Sequence, residues 1–100
     1  MPDYALICRD APGVLERRLA ARNEHMAGLK VEKAAGHIID GGAILDAAGN
    51  MAGSVVLCRF DDRAALEAYL AREIYVREGI WGDIEVIEMR FVDWPKLMNG

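Results

Sequence analysis

Arg18, Arg22 and His25 stand four and three residues apart in the stretch RLAARNEHMAGL. On a helix, that spacing gathers two guanidinium groups and an imidazole along one side. An imidazole, whose ordinary pKa is near ~6.5, can take or give a proton close to neutral pH. Guanidinium groups present forked donors that suit a carboxylate or phenolate. Three such side chains on one stripe describe the wall of an anion-binding pocket. They equally describe a solvated helix face, with Glu16 or Glu24 beside the arginines. Ser54 is a candidate donor to a ligand oxygen, and Tyr75 and Trp81 are candidate aromatic walls of an apolar pocket. No Ser-His-Asp ordering supports a nucleophile. GAILDAAGNMAG is rich in glycine but has neither GxGxxG nor a P-loop lysine, so no nucleotide site is expected. Cys8 and Cys58 match no metal-ligand spacing, and each lies in an apolar run that suits a buried thiol. No metal and no cofactor are expected. His37 reads as a surface or capping residue.

The elements that must position these residues follow from pattern. DYALICR predicts a strand over 3–9. Asp10 as N-cap and Pro12 in the first turn predict a helix running to about Ala35, with Val14, Leu15 and Leu19 as its apolar stripe and Gly36 as its stop. Asn23 is a possible re-cap within it. Strands are expected at 37–46 and 51–60, joined by a turn over Asp46–Asn50 in which Asn50 is a residue able to tolerate a left-handed conformation. Gly41-Gly42 interrupts the first of them, as at a bulge or a close backbone approach, and Gly42 is assigned the special role. DDRAALEAYLA predicts a second helix capped by Asp61 or Asp62, with Ala65, Leu66, Tyr69 and Leu70 as its apolar face. REIYVREGIWG is short and irregular or helical, a last strand spans 83–92, and the tail DWPKLMNG has no periodicity.

The order β-α-β-β-α-β is the ferredoxin-like, α+β arrangement: one antiparallel sheet with helices on one face. The strands carry apolar side chains on both faces, yet there are helices for only one. A homodimer with sheets face to face supplies the second cover. At 100 residues the chain is one domain, and its 53% hydrophobic and 28% charged composition is that of a globular protein. The net charge of −4 argues against nucleic acid or an anionic membrane as partner. With neither a leader-like segment nor a long apolar run, a cytoplasmic location is the default expectation.

ERRLAARNEHMAGL, GHIIDGGAI, AGSVVLCRF and YVREGIW, in that order, resemble the YciI-like (YCII-related) family of the dimeric α+β barrel superfamily. The R-x3-R-x2-H pattern of Arg18, Arg22 and His25 is the most specific part, supported by Gly42, Gly53-Ser54, Tyr75-Val76 and Gly79. The resemblance implies a sheet-to-sheet dimer and a ligand pocket containing the histidine. It also implies a catalytic histidine-aspartate pair, with the aspartate just before the glycine that ends the long helix. Here that neighbourhood reads Lys33-Ala34-Ala35-Gly36, without a carboxylate, and Asp40 is taken as the substitute. His25 and Asp40 are thus the expected catalytic residues. Arg18, Arg22, Gly42, Ser54 and Tyr75 are the expected contacts of a small-molecule ligand. The expected function is proton transfer, elimination or isomerisation on a small anionic cyclic metabolite, without a cofactor. The alternatives are a non-catalytic small-molecule-binding or accessory dimer and, less favoured, a monooxygenase-like barrel relative.

Overall fold

The computed structural model describes all residues, Met1–Gly100. Its elements are β1 (Asp3–Asp10), α1 (Leu15–Ala34), β2 (Ile38–Leu45), β3 (Met51–Arg59), α2 (Arg63–Arg72), α3 (Ile74–Arg77), β4 (Trp81–Met89) and α4 (Trp94–Asn99). The four strands form one antiparallel sheet in the order β2-β3-β1-β4, the ferredoxin-like topology.

Strand alternation decides what each face carries. Tyr4, Leu6 and Cys8 of β1 stand opposite Cys58, Val56 and Ser54 of β3. With Phe60 they form the floor of a core closed by Leu66, Tyr69 and Leu70 of α2, Tyr75 of α3, and Ile80. Cys8 and Cys58 are fully buried free thiols, as expected. The other face carries Ala5, Ile7, Val55, Leu57, Ile87 and Met89, and β4 leaves Ile87 and Met89 each 42% exposed there. The tail, expected to be structureless, forms α4 instead. Asp93 caps it by accepting from the Lys96 N–H at 3.0 Å, Pro95 sits in its first turn, and it buries no side chain.

α1 runs unbroken through Asn23. Its N-cap is Val14, not Asp10. A bulge between Arg9 and Asp10 in the β1–β4 pairing lets Asp10 turn to an ion pair with Arg18, which removes it from capping. Gly36, at φ +82°, stops the helix as expected, with the His37 N–H donating to Glu32 O at 2.9 Å. The expected apolar stripe is corrected: Val14 is buried but Leu19 is 51% exposed. The buried residues of α1 are Arg18, His25 and Glu32, a polar seam repeating every seven residues. α2 starts at Asp62, whose side chain accepts from the Ala65 N–H at 2.8 Å. In the β2–β3 turn the left-handed residue is Gly49, not Asn50, and Asp46 Oδ1 accepts from the N–H groups of both Ala48 and Asn50. The last strand lies two residues earlier than expected, beginning at Trp81.

Candidate functional site

A cavity of about 600 Å³ lies between α1 and the β2–β3 half of the sheet. Its lining includes the expected catalytic and ligand-contact residues Arg18, Arg22, His25, Asp40, Gly42, Ser54 and Tyr75, but not Trp81, the other candidate aromatic wall. The helical spacing thus does place the arginines and the histidine on one pocket wall.

His25 is 6% exposed, and its Nδ1 lies 2.7 Å from Glu73 Oε1. A carboxylate only accepts, so Nδ1 carries a proton, and in the neutral ring Nε2 is the nitrogen with the lone pair. Nε2 has no partner within the chain and is not sealed from solvent. The ring is held from behind: it stacks on Tyr75 at 3.9 Å between centroids, and Trp81 meets it edge-on at 5.8 Å. Glu73 is held in turn by the Tyr69 hydroxyl at 3.2 Å and the Tyr75 N–H at 3.2 Å. This carboxylate is the residue that the sequence reading missed. It sits at the break between α2 and α3, in extended conformation, and caps α3 with the same side chain that binds the histidine. The expected partner, Asp40, lines the same cavity but makes no bond to His25. Its Oδ1 accepts from the adjacent Gly41 N–H at 2.8 Å, on the exposed edge strand β2. Glu32, two turns along α1 from His25, serves a different pair, accepting from Arg72 at 2.5 Å and binding His37 Nδ1 at 2.7 Å. His37 caps the end of α1 through its N–H, as expected, but its ring is not free surface, since it also stacks on Phe60 at 4.7 Å.

Arg18 is buried and committed. One terminal nitrogen donates to Asp10 at 2.8 Å; the other donates to Gly53 O at 3.0 Å and Ser54 Oγ at 2.9 Å. Ser54 Oγ also accepts from Trp81 Nε1 at 3.3 Å. Both hydroxyl lone pairs are then occupied, so the Ser54 O–H has only a donor role left. Asp10 Oδ2 and Arg18 Nε have no partner, and burial raises the Asp10 pKa against the lowering effect of the Arg18 charge and hydrogen bond. Burial likewise raises the Tyr75 pKa, opposed by the charges of Arg18 and Arg22, so the phenol stays protonated. Arg22 is exposed and forms no ion pair within the chain, which leaves its fork available to a ligand.

The glycine assignment shifts by one residue. A Cβ on Gly42 would meet nothing within 4 Å, whereas one on Gly41 would lie 2.5 Å from Val55 O. Gly41 is the position where β2 approaches β3 too closely for a side chain. No group of three His, Cys, Asp or Glu side chains is placed to hold a metal ion. No helix is long and apolar enough to cross a membrane.

Comparison with known proteins bears on this geometry. An uncharacterised protein of Haemophilus influenzae is 33% identical over 89 residues, covering 83% of this chain and 91% of that protein. A solved structure of similar fold is the 5-chloro-2-hydroxyhydroquinone dehydrochlorinase TftG of Burkholderia phenoliruptrix, in complex with 2,5-dihydroxybenzoquinone. It superposes with a TM-score of 0.82 at 21% identity, over 90% of this chain and 95% of that one. An antibiotic biosynthesis monooxygenase superposes with a TM-score of 0.56 at 16% identity, over 92% of this chain and 99% of that one. The model of the YCII-related domain matches residues 3–90, and the chain belongs to that family.

Proposed function

We propose that the chain is an acid–base enzyme acting without a cofactor on a small hydroxylated ring, by elimination or isomerisation. The observation that carries this reading is the buried His25–Glu73 pair at 2.7 Å on the wall of the cavity. His25 Nε2 takes a proton from the ligand. The Glu73 carboxylate then faces an imidazolium, so the charge that develops on the ring is stabilised where it appears. The Ser54 O–H donates to the oxygen on which the electron pair of the broken bond to hydrogen accumulates. Arg22 holds an anionic substituent, and Arg18 positions Ser54 rather than touching the ligand. The TftG dehydrochlorinase, of the same fold, acts on a chlorinated hydroxyhydroquinone, and we infer a related substrate class. A non-catalytic binding role drew its support from the missing aspartate; Glu73 supplies a carboxylate from another element and removes that support.

We also infer that a second copy of the chain covers the open sheet face, where Ile87 and Met89 are exposed beside Ile7, Val55 and Leu57. Light scattering at micromolar concentration is expected to give about twice the 11.0 kDa chain mass. A stable monomer refutes the paired sheets.

The function is tested by incubating the protein with 5-chloro-2-hydroxyhydroquinone and a panel of hydroxylated rings, following the ultraviolet spectrum and released chloride. His25→Gln is expected to abolish turnover while leaving the fold in place. Turnover at the wild-type rate in folded His25→Gln rules out His25 as the proton carrier.

A further inference from the structure

The cavity is longer than the chemistry at His25 requires. Its lining runs from Arg18 to Ala34, along most of α1. Beyond His25 the walls turn apolar, with Met26 and Leu29 of α1 facing Ile38, Ile39 and Val56 of the sheet. The far end is basic again: Lys30 and Lys33 line it. At about 1.5 Å rise per residue, these lysines stand roughly 8 and 12 Å along the helix axis from His25. Lys33 Nζ donates to Ile39 O at 2.9 Å, which uses one of its three N–H groups and holds the ammonium over the cavity end. Lys30 forms no ion pair or hydrogen bond within the chain. With Arg18 paired to Asp10, three cationic side chains, Arg22, Lys30 and Lys33, line the cavity against the single carboxylate of Asp40, in a chain whose net charge is −4. A volume of about 600 Å³ is that of a site for a molecule larger than one substituted ring.

Building on the assignment of the ring to His25, we propose that the natural ligand is bipartite: a hydroxylated ring at His25, Arg22 and Ser54, joined through an apolar segment to a second anionic group held by Lys30 and Lys33. A ring alone leaves the Met26–Leu29–Ile38 channel filled with water and the two ammonium groups unused. A carboxylate- or phosphate-terminated tail fills the channel and neutralises the charge at its end.

The probes are a series of 4-hydroxyphenyl alkanoates, HO–C6H4–(CH2)n–COO⁻ with n from 1 to 8, and the corresponding neutral alcohols. Binding is measured by calorimetry to the wild type, Lys30→Met, Lys33→Met and His25→Gln, with thermal melting as the fold check. The expected result is an affinity that rises with n and then gains about five- to tenfold over the matched alcohol once the carboxylate reaches the lysines, equivalent to about 1–1.4 kcal/mol. That increment weakens with added salt and is lost in Lys30→Met, which disturbs no internal hydrogen bond, as well as in Lys33→Met. Equal affinity of acids and alcohols at every length overturns the distal anion site, while binding of the short phenols sensitive to His25→Gln leaves the ring site standing. An acid increment that survives both lysine variants overturns the assignment to Lys30 and Lys33. Failure of every probe, short and long, overturns the ring site and the distal site together.

Discussion

Replacing Glu73 separates its two roles, as acceptor and as charge. Its carboxylate receives three donors: His25 Nδ1–H and the Tyr75 N–H on Oε1, and the Tyr69 hydroxyl on Oε2. Glutamine in the same place satisfies the two donors on Oε1 but not the Tyr69 O–H. Its carbonyl oxygen must take the Oε1 position, because the Tyr75 N–H can only donate, and its NH2 then faces the Tyr69 oxygen, which can accept. The tautomer of His25 is therefore preserved, while the charge and the acceptor of the Tyr69 O–H are lost. A hydrogen bond to a charged group contributes about 1.5–3 kcal/mol against 0.5–1.5 kcal/mol for a neutral one. Glu73→Gln should thus lose about 1–2 kcal/mol of support for the imidazolium, slowing proton transfer by roughly 5–30-fold. Glu73→Ala leaves three buried donors without an acceptor, at about 1–3 kcal/mol each, and is expected to lower stability by 3 kcal/mol or more. Urea unfolding measures both stabilities, and nitrogen-15 shifts of His25 report which ring nitrogen bears the proton. A wild-type His25 protonated on Nε2 and not on Nδ1, or a Glu73→Ala variant within about 0.5 kcal/mol of wild type, refutes the buried pair.

Other outcomes follow from the same packing. The Glu32 carboxyl is raised by burial but lowered further by its bonds to Arg72 and His37, leaving a net pKa below its ordinary 4.5. A depressed carboxyl stabilises the fold above its unfolded value and loses that contribution as pH falls through the folded one. Glu32→Gln should therefore melt several degrees below wild type at pH 7, with the gap narrowing in scans taken progressively below pH 4.5. Burial pushes both the Cys8 and Cys58 thiols up to about 12, so a thiol-reactive dye at pH 8 should label neither until urea unfolds the chain. Gly41→Ala should destabilise by about 1–3 kcal/mol through its clash with Val55 O, whereas Gly42→Ala should stay within about 0.5 kcal/mol by chemical denaturation.

The sheet and its order were legible because strand alternation and turn residues are local signals. Ser54, Val56, Cys58 and Phe60 share a face by period alone, and all four are buried. The Arg18–Arg22–His25 wall was legible for the same reason, since one helix sets it. Glu73 was not. Its partner is 48 residues away, and the surrounding REIYVREG has no period to place it. Its position depends on the break between α2 and α3, which folding creates. Asp40 looked suitable because it adjoins the glycines, but β2 is an edge strand and turns that carboxylate to its own backbone. The buried side of α1 was misread because apolar periodicity looks for Leu and Val. This helix buries Arg18, His25 and Glu32 instead, which is possible only because each has a charged partner on another element.

That polar seam also constrains descent. Arg18 answers to Asp10 at the end of β1, His25 to Glu73 ahead of α3, and Glu32 to Arg72 at the end of α2. Removing one member of either fully buried pair, Arg18–Asp10 or His25–Glu73, is worth roughly 3–5 kcal/mol, a large part of the stability of a domain this size. A lineage that loses one partner must therefore acquire its compensating change almost at once or disappear. Those four positions are expected to be inherited as two couples, while Leu19, Val31 and the other outward residues of α1 drift singly. Across many descendants, the helix would keep its orientation over the cavity by correlated ancestry rather than by the conservation of any apolar pattern.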